Sequence, residues 1–164
     1  MRTPRRHGIR LLASGLLLGL LAVALPARTS AQGAKTSESV VKITAKADRP
    51  GADGKQTLTL TVAIDSPWHL YANPVGPEDL GSAQTTVTVN AKEHPAQVKV
   101  DYPAGKAIKD KTFGEYKVYE GTVTIKAHVQ RAKGDTSPLQ VSVKLQACND
   151  KSCLLPSTVK LTVP

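Results

Sequence analysis

The chain has 164 residues, with 22 Lys and Arg against 13 Asp and Glu, and a formal net charge of +9. Five of the basic residues and none of the acids lie within residues 1–31, so the other 133 residues carry 17 basic and 13 acidic side chains, a net charge of +4. Those charges are scattered rather than clustered, and the composition therefore does not support nucleic-acid binding. A chain of 133 residues is long enough for one domain with its own core.

The N-terminal segment has the order of a secretory signal peptide. Residues 1–10 are basic, residues 11–25 are almost wholly apolar, and small residues follow up to Ala31. This order predicts export and cleavage after Ala31. A retained membrane anchor is the alternative, but the apolar run is shorter than the roughly 20 residues that a spanning helix needs, and Pro26 ends it. Residues 32–39 are predicted to be a flexible lead-in.

From residue 40 onward the sequence is dominated by alternation of apolar and polar residues, the signature of a half-buried strand. The pattern is clearest over residues 57–64, where four aliphatic residues alternate with three threonines and an alanine. It recurs at residues 41–43, 87–89, 98–102, 123–129, 141–145 and 159–163. Turns rich in Pro, Gly, Asp and Asn separate these segments. The pattern predicts an all-β fold, a single antiparallel sandwich of immunoglobulin type over residues 40–164.

Two segments without this alternation are interpreted as loops. Residues 66–74 contain the only tryptophan, Trp68, together with His69 and Tyr71, and residues 109–116 contain the only phenylalanine. Because only 4% of the chain is aromatic, both segments are candidate walls of a site. The alternative is that Trp68 and Tyr71 fill the core, and for Trp68 this is the preferred interpretation.

The only two cysteines, Cys148 and Cys153, flank a polar turn of four residues. They are too close in sequence to be the usual inter-sheet bridge of an immunoglobulin fold. Continued alternation from residues 141–145 places Cys148 on the outward face, so the pair is predicted to straddle a hairpin tip or a strand end, within reach of partners. In an oxidising compartment the two thiols can form a disulfide.

A disulfide across so short a loop stabilises the fold by only about 2 kcal/mol in the chain-entropy estimate. Small surface disulfides are also the more easily reduced ones, and Lys151 between the cysteines would favour a thiolate. The residues alone leave two interpretations open, a redox centre and an inert hairpin disulfide.

Metal binding is a third interpretation of the pair. Two thiolates could form half of a zinc site, completed by His69, His94 or His128. None of these histidines has ligand-like spacing to another, and no local signature of a Cys-His hydrolase is present. We therefore expect neither a metal nor another cofactor.

Three stretches occur together in an order that is known from one family. Residues 68–71 (WHLY) form an aromatic segment, residues 113–121 (FGEYKVYEG) an aromatic-Gly pair leading into a strand, and residues 146–156 contain Gln146, both cysteines and Pro156. Together they resemble the aromatic segment, the cap loop and the active-site signature of the N-terminal periplasmic domain of the thiol:disulfide interchange protein DsbD.

The resemblance implies an immunoglobulin-like sandwich whose cysteines cycle between dithiol and disulfide. Carried over by position, Cys153 would form mixed disulfides with partners and Cys148 would be the resolving thiol. Thr112, Phe113 and Gly114 would form the cap that shields the pair when no partner is docked.

Four further residues are expected to line this site. His69 and Tyr71 would lie beside the pair, where the family places tyrosines, and Asp150 and Lys151 would line the site from the turn. Electrons would come from a thioredoxin-like or membrane donor protein and pass to periplasmic oxidoreductases.

The sequence departs from the family in several ways. Four residues separate the cysteines here, whereas the best-known members have five. His69 replaces an expected tyrosine and introduces a group that titrates near neutral pH, and Thr112 stands where a bulkier aromatic residue is common. Family members continue into a membrane domain and a thioredoxin-like domain, so we expect a stand-alone copy that receives electrons from a separate protein.

These observations predict an exported, periplasmic dithiol/disulfide carrier without a stable membrane anchor, which if active would be a protein-disulfide oxidoreductase. The alternative is a non-redox binding module of the same fold whose disulfide only shapes a hairpin. The reduction potential discriminates between the two.

Overall fold

The computed structural model of the chain describes residues 34–91 and 96–164. The predicted signal peptide and His94 lie outside these residues. None of the helical segments in the described part is long and apolar enough to cross a membrane. The elements are two 3₁₀ turns, Ser37–Val40 and Glu78–Ala83, and the strands Val41–Ala47 (β1), Lys55–Ile64 (β2), His69–Tyr71 (β3), Thr86–Ala91 (β4), Gln97–Asp101 (β5), Lys106–Asp110 (β6), Gly114–Tyr119 (β7), Thr122–Gln130 (β8), Leu139–Leu145 (β9), Ala147–Cys148 (β10) and Ser157–Val163 (β11).

The strands pair antiparallel in three sheets. The first sheet has the order β1-β2-β8-β5, the second β10-β3-β7-β6 and the third β11-β9-β4. Apolar side chains from all three sheets form one core. This arrangement confirms the predicted antiparallel sandwich of immunoglobulin type.

Strand β2 shows why the alternating pattern predicted the fold so well. Leu58, Leu60 and Val62 are completely buried, whereas the threonines between them remain partly exposed. Burying one such aliphatic side chain contributes about 1.5–3 kcal/mol, so turning this strand over would expose its whole apolar row. Each of the seven segments predicted from alternation forms part of a strand, and only Tyr102 at the end of one segment lies outside it.

The two segments interpreted as loops are partly strand, so that interpretation was wrong. Residues 66–74 contain β3, and residues 109–116 contain the end of β6 and the start of β7. Strand β3 has only three residues, too few to show a period. Strand β6 lies at an open edge of the second sheet and has exposed residues at all positions but Ile108, so it lacks an apolar row.

The segment before β1 packs onto the domain. Thr36 forms a parallel bridge with Leu155, and Ser37 is completely buried. This packing differs from the flexible lead-in that composition predicts for residues 32–39.

The buried phenol of Tyr119 joins the end of β7 to the segments that follow β3 and β5. Tyr119 at the end of β7 is almost completely buried. Its hydroxyl accepts a hydrogen bond from the Asn73 N–H at 3.1 Å and donates one to the Pro103 carbonyl oxygen at 3.1 Å. Burial raises the pKa of this phenol, so it stays a neutral donor.

A buried cluster of charged and polar side chains lies where β2 begins and β8 ends in the first sheet. The guanidinium of Arg131 is bound by the Asp135 carboxylate at 3.1 Å, by the Gln56 side-chain oxygen at 3.0 Å and by the Ser137 carbonyl. The N–H of Ser137, its hydroxyl and the guanidinium lower the pKa of Asp135 to about 2.

This cluster predicts a specific acid sensitivity. The folded-state pKa of Asp135 lies below the ordinary value of 3.8, so its stabilising contribution is complete above about pH 4 and is lost as the pH falls towards 2. Asp135→Asn should lower the free energy of unfolding at neutral pH and reduce its dependence on pH between 4 and 2. Urea unfolding across this range measures both effects. Asp79→Asn, at an exposed carboxyl, is the control, and an unchanged pH slope in Asp135→Asn would contradict the assignment.

Candidate redox site

The two cysteines face each other across a tight hairpin formed by residues 147–155, here called the cysteine hairpin. Cys148 and Cys153 form an antiparallel bridge and a disulfide, with their Cα atoms 4.0 Å apart. The Leu154 N–H donates to the Ala147 carbonyl at 2.9 Å, and the Asn149 N–H donates to the Ser152 carbonyl at 2.9 Å. The predicted placement at a hairpin tip is confirmed.

The side chain of Asn149 shapes the turn between the cysteines. Its Oδ1 accepts the backbone N–H groups of Lys151 and Ser152, both at 2.9 Å. Such side-chain to backbone bonds are the reason that asparagine favours turns. Asp150 and Lys151, both predicted to line the site, are exposed on this turn.

The two cysteines have unequal exposure, which corrects the outward placement predicted for Cys148. Cys148 is 2% exposed, whereas Cys153 is exposed. The alternation that predicted the outward face ends with β9 at Leu145 in the third sheet. At Gln146 the chain crosses to the second sheet, where Ala147 and Cys148 are both buried.

Strand register places His69 and Tyr71 on the same face of the second sheet as Cys148. Cys148 is opposite His69, and Tyr71 is opposite Val118. Residues two apart on a strand share a face, so His69, Tyr71 and Tyr116 lie on the same face as Cys148. The His69 and Tyr71 rings meet edge to face with centroids 6.2 Å apart, and the Tyr71 and Tyr116 rings are 5.8 Å apart. We call these three side chains the aromatic row.

Tyr116 was not among the predicted site residues. The alternation of side chains along β7 would have indicated it. Val118 pairs with Tyr71, and Tyr116, two residues earlier on the same strand, faces the same side of the sheet. The prediction of a loop over residues 109–116 hid that alternation. Trp68, by contrast, packs against the core as preferred, whereas Tyr71 belongs to the aromatic row rather than filling the core.

The three side chains of the aromatic row are uncharged near neutral pH, although carboxylates act on each of them. Desolvation lowers the pKa of His69, although Glu120 and Asp150 raise it. Desolvation raises the pKa of Tyr71, and Asp110 raises it further. The pKa of Tyr116 is also raised, first by desolvation and then by Tyr71, Asp110 and Asp150. The side chains are therefore an uncharged imidazole and two phenols near neutral pH.

Strands β6 and β7 form a second hairpin, residues 106–119, here called the cap hairpin. At its tip the Asp110 Oδ1 accepts the N–H groups of Thr112 at 2.7 Å and Phe113 at 2.9 Å, which lowers the pKa of that carboxyl. Gly114 has φ +75°, a left-handed conformation that glycine adopts without strain. Phe113 remains 46% exposed at this tip.

The Coulombic effects link both hairpins to the aromatic row. Asp110 at the base of the cap tip and Asp150 on the cysteine turn both influence Tyr116. In the second sheet, β3 with His69 and Tyr71 lies between β10 of the cysteine hairpin and β7 of the cap hairpin, which carries Tyr116. The predicted lining residues His69, Tyr71 and Asp150 are brought to one region.

His69 and His128, the described histidines among those considered as metal ligands, lie on different sheets. Among the described residues there is no group of three or more His, Cys, Asp and Glu that could hold a metal ion. His128 lies on β8 of the first sheet and meets the Asp101 carboxylate at 2.9 Å. The cysteine pair and His69 lie instead on the second sheet.

Comparison with known proteins identifies the family. The family model of the N-terminal part of the thiol:disulfide interchange protein DsbD matches residues 37–164. The chain belongs to this family. No curated protein sequence matches the chain significantly.

A solved structure with a TM-score above 0.5 has the same fold at low sequence identity. The N-terminal periplasmic domain of ScsB from Proteus mirabilis is 18% identical, with a TM-score of 0.54, over 74% of this chain and 46% of that chain. The reduced DsbD N-terminal domain of Neisseria meningitidis is 14% identical, with a TM-score of 0.48, over 77% of this chain and 85% of that one. A complex of the DsbD and PilB N-terminal domains from Neisseria meningitidis also matches, at 14% identity and a TM-score of 0.46, over 73% of this chain and 80% of that one.

The surroundings of His69 predict a measurable titration. Its pKa should lie below the ordinary value of 6.5, because desolvation is the largest influence on the ring. Asp150→Asn should lower that pKa further, since the Asp150 carboxylate favours the protonated imidazole. Proton NMR of the imidazole resonance over pH 4–8 measures both shifts, with His128 as the internal control. A His69 pKa that does not respond to Asp150→Asn would contradict the placement of the turn beside the aromatic row.

Proposed function

We propose that the mature chain is a periplasmic dithiol/disulfide carrier that exchanges disulfides with thioredoxin-like donors and periplasmic oxidoreductases. One observation carries the proposal: in a chain of this family, the disulfide joins an exposed cysteine, Cys153, to a buried one, Cys148. The fold makes the two cysteines chemically unequal, as a carrier needs. The export signal predicted in residues 1–31 supports the periplasmic location.

Reduction of the carrier begins at the accessible sulfur. A thiolate of the donor attacks the Sγ of Cys153, the Cys148–Cys153 bond breaks, and Cys148 leaves with the electron pair. Burial disfavours a charged sulfur, so the Cys148 thiolate takes up a proton. The second donor thiol then attacks the mixed disulfide and releases Cys153. In total two electrons and two protons pass from the donor dithiol to the carrier.

Oxidation of the carrier is the reverse sequence. The Cys153 thiolate attacks the disulfide of an acceptor and forms a mixed disulfide, and the acceptor's other sulfur takes the electron pair. Cys148 loses its proton and attacks Cys153, which releases the reduced acceptor. Relative reduction potentials decide the direction of the exchange, and no cofactor is needed.

The side chains around the pair take the roles that this chemistry requires. His69 is opposite Cys148 in the strand register and is neutral near pH 7, so it is the titratable group best placed to exchange a proton with that sulfur. Tyr71 extends the uncharged surface beside it. Cys153 is exposed in this structure, so the shielding role proposed for Thr112, Phe113 and Gly114 requires the tip of the cap hairpin to close over it. Asp150 and Lys151 meet the incoming partner.

The asymmetry of the pair can be tested by trapping mixed disulfides. Cys148→Ala keeps the exposed thiol and removes the resolving one, so it should accumulate mixed disulfides with exported thiol oxidoreductases. Cys153→Ala is the matched control and should trap far less, because its remaining sulfur is buried. Non-reducing electrophoresis of cell extracts, with identification of the adducts, measures both.

Two outcomes would overturn the carrier. One is that neither variant traps a partner, and the other is that thioredoxin-type reductants leave the native disulfide intact. A reduction potential below about −300 mV, the range of structural disulfides, would then favour a non-redox binding module.

The shielding role of the cap tip predicts a change in rate. Phe113→Ala should speed reduction of the disulfide by glutathione severalfold, because it removes the exposed ring that closure of the cap tip would bring over the pair. Lys111→Ala changes an exposed residue of the same tip and is the control. Stopped-flow thiol-exchange kinetics give both rates, and equal rates for Phe113→Ala and the native chain would show that Phe113 does not shield the pair.

A further inference from the structure

Ser37 is completely buried against the cysteine hairpin, although 110 residues separate it from Ala147 in sequence. Its hydroxyl accepts the Ala147 N–H at 2.9 Å and donates to the Leu155 carbonyl at 2.8 Å. The Ser37 N–H donates to the same carbonyl at 2.8 Å. One side chain therefore bonds both limbs of the hairpin, just before Cys148 and just after Cys153.

The hairpin itself supplies few bonds between its limbs. Next to the disulfide, the Leu154 N–H donates to the Ala147 carbonyl. In an uninterrupted antiparallel ladder the Ala147 N–H would return a bond to Leu154. Here that N–H donates to the Ser37 hydroxyl instead.

The neighbours of Ser37 extend this contact along the second limb. The Leu155 N–H lies 3.4 Å from the Lys35 carbonyl, and the Glu38 N–H donates to the Ser157 hydroxyl at 3.1 Å. We call residues 35–38 the N-terminal strap. The strap joins the hairpin to the body of the domain by bonds that do not pass through the disulfide.

We propose that Ser37 is a positioning residue for thiol:disulfide exchange, which holds the two limbs together and keeps Cys148 within reach of Cys153 after reduction. This inference rests on the proposed carrier function. The disulfide and the Ser37 hydroxyl constrain the same two limbs. By reciprocity, a contact that is strengthened by the disulfide favours the disulfide to the same extent.

The resulting prediction concerns the redox equilibrium of the chain. With dithiothreitol, the Cys148–Cys153 disulfide and the dithiol of the reagent exchange two electrons and two protons, giving the reduced chain and the cyclic disulfide of the reagent. Ser37→Ala should shift this equilibrium towards the reduced chain by about tenfold, the equivalent of one hydrogen bond between the limbs. For this two-electron couple that is about 30 mV towards a more oxidising potential.

Two variants serve as controls. Ser39→Ala removes a hydroxyl of the same 3₁₀ turn that bonds only the Thr36 carbonyl within the strap, and it should leave the equilibrium unchanged. Ser37→Thr keeps the hydroxyl and should restore most of the native equilibrium constant.

A merely structural role for Ser37 gives a different result. It would destabilise the oxidised and reduced chains equally, and the equilibrium constant would not change. That outcome overturns the proposal. Should Ser37→Ala fail to fold, Ser157→Ala loosens the second limb without leaving a buried group unpaired. A smaller shift in the same direction supports the proposal, and no shift overturns it.

The dithiothreitol equilibrium needs no protein partner, so it is independent of the trapping experiment. A shifted equilibrium in Ser37→Ala together with failed trapping would support the positioning role of Ser37 at the disulfide and overturn the carrier function. Successful trapping with an unchanged equilibrium in Ser37→Ala would support the carrier function and overturn the positioning role of Ser37.

Discussion

The pairing of Ala147 and Cys148 with β3 is the interaction on which the site depends. It takes the chain out of the third sheet at Gln146 and into the second, and so turns Cys148 away from solvent. The pairing covers only two residues, but Ala147 and its partner Leu70 are completely buried, and the core therefore holds it in place. Everything specific about the pair follows from this crossing, because Cys153 returns on the outer limb and stays exposed.

The same crossing sets the electrostatics beside the disulfide. It brings the cysteine turn, with Asp150, towards a face that already has Glu120 and Asp110 around it. Lys106 neutralises part of this charge through its ion pair with Glu120 at 2.9 Å. The aromatic row itself remains uncharged, since desolvation disfavours the imidazolium and both phenolates. On the proposed function, a partner would approach Cys153 beside this uncharged row, with Glu120, Asp110 and Asp150 and the cation of Lys106 around it.

Period-two alternation predicted the sandwich because burial fixes one face of each long strand. It failed where a strand was too short to show a period, as in β3, or was exposed along nearly its whole length, as in β6. The placement of Cys148 failed for a different reason: alternation says nothing about a chain that changes sheets within one residue. The motif resemblance found His69, Tyr71 and both cysteines, but Tyr116 and Ser37 became visible only through strand register and hydrogen bonds across the fold.

The short cysteine loop explains why support from outside the hairpin matters. With four residues between the cysteines, the turn is closed by Asn149 Oδ1 and leaves room for few backbone bonds between the limbs. Stability must then come from β3 on one side of Cys148 and from the N-terminal strap, which bonds both limbs. Neither contact passes through the sulfur–sulfur bond. On the proposed mechanism, the disulfide can therefore open at Cys153 while the backbone that holds Cys148 stays in place, and the return attack then requires little reordering of the chain.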